Sequence, residues 1–332
     1  MPTALVTGAS GFVGSHICDQ LHQRGYAVRV LARSSTNLRS VEHLPVTPVR
    51  GDFADPESLR DAVSDVDFIY HVAGATAAKN RAAFFAGNQI ATRNLLEATL
   101  RHTPNLQRFL HVSSLAAVGP APDLHHPVDE TTPFHPITTY GESKAAAERE
   151  VFDRMSKLPA TIVRPPVVYG PRDAGTGAFT FFAVAAKGLA PLIGFGEKKV
   201  SLVHVTDLAR GSVEAAESPR AAGEAYFVSS EEFYTWEEVG AITARVMGRK
   251  RVRHLRVPHA VIHVAAAISG FAGMFQKKPT IFDRDKGRDI TTPYWICSVE
   301  KAREHFGYRQ QIPLEQGIAE TIAWYRKEGV IR

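Results

Sequence analysis

Thr7-Gly8-Ala9-Ser10-Gly11-Phe12-Val13-Gly14 is the stretch of sequence on which the fold depends. An apolar run at residues 4–6 precedes it, and apolar residues recur after it at helical spacing until Gly25 ends the predicted helix. Three glycines between a strand and a helix leave no side chain where the backbone must turn tightly and approach a pyrophosphate. A glycine triplet also occurs in ordinary turns, but the strand and helix around this one predict a dinucleotide-binding loop.

Short apolar runs alternate with helical patterns through the first half of the chain. The predicted strands are residues 28–31, 68–72, 109–112 and 161–164. This alternation predicts an α/β fold, a Rossmann-type doubly wound parallel sheet with a smaller, discontinuous C-terminal substrate lobe. Gly8, Gly74 and Ser114 each follow a strand end, and such sheets bind ligands at the carboxyl ends of their strands. The pattern then becomes less regular, so we expect a nucleotide-binding domain at 1–165 and a substrate lobe at 166–332.

Tyr140 and Lys144 form an i, i+4 pair in the run Thr139-Tyr140-Gly141-Glu142-Ser143-Lys144. On a helix this spacing puts both side chains on one face, so the ammonium can stabilise a phenolate whose unperturbed pKa is about 10. A carbonyl reduction needs such a proton donor, and a serine hydroxyl can stabilise the charge on the same oxygen. The pair alone also fits an ordinary amphipathic helix, but together with the glycine loop it predicts a redox active site.

The glycine loop, the Tyr-Lys pair and Ser113-Ser114 at a strand end between them resemble the extended short-chain dehydrogenase/reductase family, or NAD-dependent epimerase/dehydratase superfamily. The pattern is most similar to dihydroflavonol reductases and 3β-hydroxysteroid dehydrogenases, and the resemblance covers nearly the whole chain. It implies catalytic roles for Ser114, Tyr140 and Lys144, a return of residues 201–230 to the main sheet, and a homodimer. The implied cofactor-binding residues are Gly8, Ser10, Gly11, Phe12, Val13, Gly14, Arg33, Asp52, Phe53, Ala73, Gly74, Tyr140, Lys144, Pro165 and Val168.

Arg33 occupies the position that selects the cofactor. NAD-binding members of such folds usually place an acidic residue at the end of the second strand, where it holds the ribose hydroxyls. This chain has Ala32-Arg33 there, and a guanidinium can bind a 2′-phosphate that a carboxylate would repel. The sequence therefore predicts NADP, with NAD as the alternative. The resemblance further implies that Asp52 contacts the adenine, that Ala73-Gly74 lines the ribose, and that Pro165 and Val168 lie near the nicotinamide.

Composition and charge narrow the class of protein. The 332 residues are 44% apolar and include only two cysteines, which predicts a full core of reduced thiols without a disulfide framework. The N-terminus lacks the basic region and the apolar length of a signal peptide, so we expect a cytoplasmic protein. A net charge of +5 favours an anionic partner, and a dinucleotide satisfies that preference without nucleic acid.

One segment introduces a membrane alternative. The basic run at 249–256 is followed directly by an apolar stretch at 257–275. Such a pairing can dock weakly on an acidic membrane surface. His259, His263 and Gly270 interrupt the stretch, so no integral membrane segment is expected, and a helix of the substrate lobe is the preferred interpretation.

His204 and Asp207 have side chains suited to catalysis, but we assign neither to the active site. The resemblance implies that their segment is a strand running into a helix N-terminus, where Asp207 is suited to capping. The remaining histidines, His71 and His111 among them, show no metal-ligand spacing, so we expect core or loop positions for them and no metal site.

Three functions are compatible with these motifs. The preferred one is an NADP-dependent enzyme that interconverts a ketone and a secondary alcohol on a largely apolar small molecule. The first alternative is a nucleotide-sugar epimerase or dehydratase. Such relatives carry an arginine that clamps the diphosphate of the substrate, and this chain has Val200 at the aligned position, with Lys198 and Lys199 before it. The remoter alternative is a non-catalytic NADP-sensing protein, although such proteins typically lose the tyrosine or the lysine.

Overall fold

The computed structural model describes residues 1–173, 175, 177–249, 252–273 and 283–331. In chain order its strands are β1 (Thr3–Thr7), β2 (Ala27–Ala32), β3 (Thr47–Arg50), β4 (Phe68–His71), β5 (Arg108–Val112), β6 (Ala160–Arg164), β7 (Val167–Tyr169), β8 (Leu189–Ile193), β9 (Lys199–His204), β10 (Glu224–Phe227), β11 (Phe233–Tyr234), β12 (Arg253–Val257) and β13 (Tyr294–Trp295). Its α-helices are α1 (Phe12–Gln23), α2 (Arg60–Val63), α3 (Arg81–Phe85), α4 (Ala91–His102), α5 (Leu115–Val118), α6 (Thr139–Phe152), α7 (Gly177–Ala185), α8 (Val205–Glu217), α9 (Trp236–Val246), α10 (His259–Gly273), α11 (Arg284–Thr291), α12 (Glu300–Phe306) and α13 (Leu314–Lys327). Short 3-10 turns lie at Arg39–Val41, Pro56–Leu59 and Pro219–Ala221, and a π-helical turn at Ala86–Ile90 joins α3 to α4.

Seven parallel strands form the main sheet, in the order β3-β2-β1-β4-β5-β6-β10. β1, β5 and β6 consist almost entirely of buried residues, as expected for parallel strands that helices cover on both faces. α1 and α8 pack together on one face of the sheet, and α4 and α6 pack together on the other. This is the predicted Rossmann-type doubly wound sheet. Its strand order reverses between β1 and β4, which creates the crevice in which such folds bind their ligands.

A smaller lobe is built from the second half of the chain. β9 pairs with β7, β11 and β13 in a second sheet, and β8 pairs with β12. α7, α9 and α13 cover this lobe with a separate apolar core that includes Phe182, Ile318 and Tyr325. The segment 201–230 is divided between the two parts: β10 joins the main sheet beside β6, whereas β9 stays in the second sheet. β10 fits the main sheet because residues 225–227 are apolar and buried.

Both cysteines are buried free thiols, as predicted. Burial raises the pKa of Cys18 and of Cys297 to about 12. Within the described ranges, no helix is both long enough and apolar enough to cross a membrane. Lys250 and Arg251 of the basic run, and residues 274–275 at the end of the apolar stretch, lie outside the described residues. The rest of that stretch contributes the end of β12 and the whole of α10.

Candidate active site

The glycine loop between β1 and α1 is shaped by close backbone contacts. Gly8 has a φ angle of +73°, and a Cβ there would lie 2.8 Å from the backbone nitrogen of Ala73. A Cβ at Gly14 would lie 2.2 Å from the carbonyl oxygen of Gly8. The same oxygen accepts the Gly11 N–H at 2.9 Å. Larger residues are therefore excluded at Gly8 and Gly14, because neither the turn nor the helix has room for a side chain.

The N-terminus of α1 points its N–H groups into this loop. Gly11 is the N-cap, no side chain of the described residues caps the helix, and its first turn carries no acidic residue. The positive end of the helix dipole is therefore open to an anion. Ser10, Phe12 and Val13 are exposed or half-buried around it. These residues fit the diphosphate of a dinucleotide, which such a helix end binds through backbone N–H groups.

Arg33 lies directly after β2 on an exposed turn. Its backbone N–H donates to Thr36 Oγ1 at 2.9 Å, and within the described part of the chain its guanidinium has no hydrogen-bond or ion-pair partner. The same loop is held against the glycine loop by Ser40, whose hydroxyl donates to the carbonyl oxygen of Ser10 at 3.2 Å. The Arg33 side chain is therefore available to an anion close to the glycine loop.

Asp52 and Phe53 follow β3, at the same edge of the sheet as Arg33, because β2 and β3 are parallel neighbours. Asp52 is exposed, and its carboxylate accepts the N–H of Ala54 at 2.9 Å. Phe53 is half-buried, and its ring centroid lies 5.6 Å from that of His71. The two residues therefore extend the crevice away from the glycine loop.

Asn88, in the π-helical turn, supports the chain at Gly74, just after β4. Its side-chain oxygen accepts the N–H of Ala75 at 2.8 Å, and its amide donates to Ser143 Oγ of α6, also at 2.8 Å. A Cβ at Gly74 would lie 2.8 Å from Asn88 Oδ1 and 3.8 Å from Lys144 Nζ. Asn88 thus fixes the distance between the end of β4 and the helix that carries the Tyr-Lys pair.

His71 lies in the core, as expected of a histidine without metal-ligand spacing, and it links several elements through hydrogen bonds. The hydroxyl of Thr92 donates to the carbonyl oxygen of Asn88 at 2.7 Å, so it accepts from His71 Nε2 at 2.9 Å. His71 Nδ1 then accepts from the Thr7 hydroxyl at 2.9 Å. Thr7 Oγ1 in turn accepts the N–H of Ala73 at 3.2 Å. Burial lowers the pKa of His71 to about 3, so the ring stays neutral and its tautomer is fixed by these bonds.

Tyr140 lies in the first turn of α6, beside Ser114. The hydroxyl of Thr138 caps this helix, and Ser114 caps the short helix α5 by accepting the N–H of Ala116 at 3.1 Å. The Ser114 hydroxyl lies close enough to the phenol of Tyr140 to affect its pKa. Burial raises the pKa of Tyr140, the nearby Ser114 hydroxyl lowers it, and the charge of Asp289 raises it further. The structure therefore brings Ser114 and Tyr140 together, with the phenol protonated at neutral pH.

Lys144 is buried one turn after Tyr140 and is only 4% exposed. Its ammonium donates to the carbonyl oxygen of Val112 at 2.8 Å. Burial lowers the pKa of Lys144 to about 8, and the charge of Glu148 opposes this shift. We expected Lys144 to lower the pKa of Tyr140, but that pKa is raised in this structure. The reason is that burial dominates at the phenol, while the ammonium is engaged with a backbone carbonyl.

A buried ion pair anchors the middle of α6. The carboxylate of Glu148 accepts from Arg164 Nη2 at 2.7 Å, and both side chains are almost completely buried. The guanidinium also lies 5.3 Å from the ring centroid of Phe134 and 5.5 Å from that of Phe227. Because Arg164 is the last residue of β6, the pair ties the helix of Tyr140 to the carboxyl end of that strand in the main sheet.

Acidic residues of the small lobe also reach this site, and sequence reasoning missed them. Asp285 of α11 accepts the backbone N–H of Thr139 at 2.7 Å, and Arg288 donates to the carbonyl oxygen of Ile137 at 2.8 Å. Asp289 is near enough to raise the pKa of Tyr140. No local motif marks these contacts, because Thr139 and Asp285 are 146 positions apart.

Pro165 and Val168 lie on the other side of Ser114. Pro165 is buried at the end of β6, and its carbonyl oxygen accepts the N–H of Leu115 at 2.8 Å. Val168 is half-buried in β7 and is the register partner of Val203. Of the two residues, Pro165 is the one that directly contacts the α5 turn.

His204, and not Asp207, is the N-cap of α8. His204 Nδ1 accepts the N–H of Thr206 at 3.4 Å. The prediction that Asp207 caps this helix is wrong, because Asp207 lies within its first turn. The Asp207 carboxylate instead accepts the backbone N–H groups of Gln311 and Ile312, at 3.1 and 2.9 Å. Asp207 thus ties α8 to the segment before α13.

Comparisons with known proteins agree with this arrangement of sheet, loop and helix. A ceramide reductase of Caulobacter vibrioides is 31% identical over 324 residues, which cover 98% of this chain and 94% of that protein. A 3-beta-hydroxysteroid dehydrogenase of Mycolicibacterium neoaurum is 30% identical, covering 97% of this chain and 90% of that protein. The crystal structure of the Thermus thermophilus UDP-glucose 4-epimerase in complex with NAD has a TM-score of 0.77 and 25% identity, covering 98% of this chain and 99% of that one.

The family profile agrees with these individual similarities. Residues 4–229, from β1 to the end of β10, match the NAD dependent epimerase/dehydratase family. The match includes the glycine loop, Ser114 and the Tyr-Lys pair. The chain therefore belongs to the NAD-dependent epimerase/dehydratase family, and it is an NAD(P)-dependent oxidoreductase of the extended short-chain dehydrogenase/reductase type.

Proposed function

We propose that this enzyme uses NADP to interconvert a ketone and a secondary alcohol on a largely apolar molecule, with Tyr140 as the general acid and base. The observation that carries the proposal is the proximity of the Ser114 hydroxyl to the phenol of Tyr140, one helical turn from Lys144, whose ammonium is bound by the carbonyl oxygen of Val112. All three groups lie at the carboxyl edge of the main sheet, next to the glycine loop. A proton donor and a charge-stabilising hydroxyl at this edge are what a carbonyl reduction requires.

The proposed role of Tyr140 follows from its protonation state. The bound nicotinamide would supply a hydride to the carbonyl carbon, and the carbonyl oxygen then needs one proton to become a hydroxyl. Tyr140 gives that proton and is left as a phenolate, which bulk water reprotonates. Burial raises the pKa of Tyr140, so the group is in its acid form when reduction starts. The Ser114 hydroxyl stabilises the negative charge as it grows on the oxygen.

Lys144 is proposed to stabilise the phenolate from one turn away. Its ammonium is held by the carbonyl oxygen of Val112, so it does not give up its position as the charge on Tyr140 changes. A positive charge near a phenolate lowers the cost of forming it in a buried site. This requires Lys144 itself to be charged, and its pKa of about 8 keeps it so at neutral pH.

The choice of NADP rests on Arg33. Its exposed guanidinium has no partner among the described residues, and Arg33 belongs to the loop that Ser40 binds to the glycine loop. We expect Arg33→Asp to narrow or reverse the preference for NADP, because hydrogen bonds to charged groups contribute about 1.5–3 kcal/mol each, roughly tenfold or more in affinity. Calorimetric titration of each protein with NADP and NAD measures this. Arg101→Asp, a change of an exposed arginine on α4, is the matched control and should leave both affinities unchanged. Equal affinities of the wild type for both cofactors would contradict the proposal.

Several observations support an apolar substrate. Val200, at the position of the diphosphate-clamping arginine, is buried and only 4% exposed. Lys198 donates to the carbonyl oxygens of Ile290 and Thr291, at 2.9 and 2.7 Å, and Lys199 lies 3.8 Å from Glu238. Both lysines that could have replaced the arginine therefore have partners within the protein. The two relatives described above carry names of apolar substrates, a ceramide and a 3-hydroxysteroid.

Replacement of Tyr140 by phenylalanine tests the proposed mechanism. We expect Tyr140→Phe to reduce turnover of an apolar ketone by about 10²–10⁴, because it removes the proton donor and keeps the ring. Calorimetry should give unchanged cofactor affinity. Tyr26→Phe, which loses a distant hydrogen bond to Glu217, is the matched control and should keep its activity. Activity of Tyr140→Phe within a few-fold of the wild type would exclude the assigned role.

A nucleotide-sugar epimerase is the second candidate, and the similarity to UDP-glucose 4-epimerase favours it. Calorimetric titration of the cofactor-loaded enzyme with UDP-glucose and dTDP-glucose distinguishes the two. Binding in the micromolar range would favour the epimerase, whereas binding and reduction of hydrophobic ketones alone would favour the reductase. A non-catalytic NADP sensor is disfavoured, because Ser114, Tyr140 and Lys144 are all present and lie together.

The homodimer remains part of the proposal. α4 and α6 pack side by side, and the exposed apolar side chains of Ile90 and Phe152 lie at the start of α4 and the end of α6. An outer face that combines these helices would suit a two-fold contact in which the same patch meets itself.

A further inference from the structure

α10 contains no acidic or basic residues apart from histidine. Only a narrow stripe along one side of this helix is buried against the rest of the protein. Its sequence, His259–Gly273, contains no Asp, Glu, Lys or Arg. Ile262 and Ala266, one turn apart, are buried, whereas Val261, Val264 and Ile268 are 53%, 58% and 66% exposed. Apart from His259, His263 and Ser269 the helix is apolar, and a helix that is apolar on most sides is normally buried in a core or in a membrane. Most of α10 therefore presents an apolar surface to its surroundings.

The neighbouring two-stranded sheet extends this surface. Ala190 and Leu192 of β8 are buried against the lobe, so Leu189 and its alternate neighbours point to the opposite side. Leu255 of β12 lies on that same side, since it is the register partner of Pro191. Phe195 follows β8 and is 73% exposed.

This outer surface, called here the apolar face, consists of Leu189, Phe195, Leu255, Val261, Val264 and Ile268. These are six of the ten exposed large apolar side chains in the described part of the chain. β12 leads into α10 through Pro258 alone, and a Cβ at Gly194 would lie 2.2 Å from His259 Nε2. The strand pair, the turn with Phe195 and the helix are thus contiguous. An exposed apolar patch of this extent marks an interaction site.

Basic side chains border the apolar face. Lys187, Arg249 and Arg253 line one groove together with Leu189, and none of the three cations has a carboxylate within ion-pair distance among the described residues. Glu197, two residues after Phe195, is the acidic residue nearest to them in sequence.

The charged contacts made by the alternate residues of β12 lie on the side of the strand that faces away from the apolar face. The side chains of His254 and Arg256 lie 3.3 and 3.5 Å from the carboxylate of Glu237 in α9, on the opposite side of the strand. The face therefore combines apolar side chains with unpaired positive charge, as amphipathic elements that bind anionic lipid do.

The apolar face is one helix away from the candidate active site. α10 packs against α11, and their contact is close because a Cβ at Gly287 would lie 2.9 Å from the Cβ of Ala266. α11 in turn bonds the backbone of Thr139 through Asp285, directly before Tyr140. A surface that rests on the apolar face would therefore be separated by α11 from the start of α6, where Thr139 and Tyr140 lie.

We propose that the apolar face docks this enzyme on an anionic lipid bilayer, and that the enzyme takes its apolar ketone from that bilayer. The second part rests on the proposed function, whereas the first does not. A second copy of the chain is a less suitable occupant, because a two-fold contact would bring Lys187, Arg249 and Arg253 of both copies to one interface. An anionic bilayer instead offers apolar depth for the helix and negative charge for the groove.

Vesicle sedimentation tests the docking without any turnover. We expect the protein to sediment with vesicles of phosphatidylcholine that contain about one third phosphatidylglycerol, and much less with phosphatidylcholine alone or at high salt. The double substitution Val264→Glu with Ile268→Glu should weaken this binding at least about tenfold, and Arg253→Glu should weaken it about fivefold. Val330→Glu, at an exposed apolar residue outside the apolar face, is the matched control and should bind as the wild type does.

Several results would overturn the proposal. One is a wild type that binds neither kind of vesicle, and another is a control that loses as much binding as the double variant. A third is a double variant that has the wild-type thermal midpoint but a smaller mass in sedimentation velocity, which would identify the face as a self-association surface.

Activity on two kinds of ketone separates docking from chemistry. The double variant should reduce a short water-soluble ketone at the wild-type rate, and a ketone embedded in the vesicles at least about tenfold more slowly. Equal rates on the embedded ketone would reject delivery from the bilayer. If neither protein reduced any ketone, the proposed function would fail, and the sedimentation result would still decide the docking.

Discussion

Gly14→Ala is the substitution whose effect can be worked out most directly from the glycine loop. The new Cβ would lie 2.2 Å from the carbonyl oxygen of Gly8 and 2.7 Å from its carbonyl carbon, whereas unstrained contacts of this kind need roughly 3.5 Å. The loop would have to move by about 1 Å. Gly8 has little room to do so, because the backbone of Ala73 lies directly behind it. Overpacking of this kind costs about 1–3 kcal/mol, and if the strain falls on the bound loop, cofactor affinity decreases roughly five- to hundredfold.

Two measurements on the Gly14→Ala protein test this prediction. Isothermal titration with NADP gives the change in cofactor affinity, and thermal unfolding gives the change in stability. Gly25→Ala is the matched control at the other end of α1, where no atom lies within 4 Å of the new Cβ but φ is +77°. It should lose about 1 kcal/mol of stability through the backbone strain and keep its cofactor affinity. A folded Gly14→Ala protein with wild-type affinity for NADP would show that the loop can shift without consequence, and the assignment of the loop to the diphosphate would be refuted.

Two further predictions concern α6. The pKa of Lys144 is lowered to about 8, so the ammonium is lost as the pH rises through that value, and kcat/KM for reduction should fall there with it. Steady-state kinetics across this range checks the fall, and a profile that stays flat well above pH 8 would contradict the role of the charge. Glu148→Ala should lower the free energy of unfolding by about 3–5 kcal/mol, because it leaves Arg164 charged and buried without its partner. Urea denaturation measures the free energy of unfolding of this variant. The control is Glu97→Ala, which removes a half-exposed partner of Arg154 and should cost about 1 kcal/mol or less. Equal losses of stability in the two variants would mean that the burial of the Glu148–Arg164 pair is unimportant.

The features that the sequence predicts well are local ones. The glycine loop and α1 are specified within about twenty residues, and the apolar runs of β1, β4, β5 and β6 are buried strands in the structure. β3 was missed because it is an edge strand. It is mostly exposed and contains Pro48, so it has neither an apolar run nor an alternating pattern, and such a strand is recognisable only from the neighbour with which it pairs.

Contacts between distant segments were beyond prediction for a different reason. The carbonyl of Val112 that holds Lys144 and the carboxylate of Asp285 that holds Thr139 act on α6 from far along the chain. Nothing in the local pattern around Tyr140 requires either of them. The cap of α8 was misassigned because an aspartate near a helix start is the usual cap, whereas the actual cap depends on where β9 stops, at His204.

Through the contact between α11 and the start of α6, the smaller lobe affects the acidity of Tyr140, which belongs to the nucleotide-binding part of the chain. The N–H of Thr139 is bonded by Asp285, and the neighbouring Asp289 contributes to the raised pKa of Tyr140. Withdrawal of α11 would expose that N–H to water and remove a negative charge from the phenol, which would make the proton easier to lose. Burial is the main cause of the raised pKa of Tyr140, and Asp289, in a segment far along the chain, adds to it. Substitutions in α11 can tune the proton transfer while every residue of the nucleotide-binding sheet stays the same.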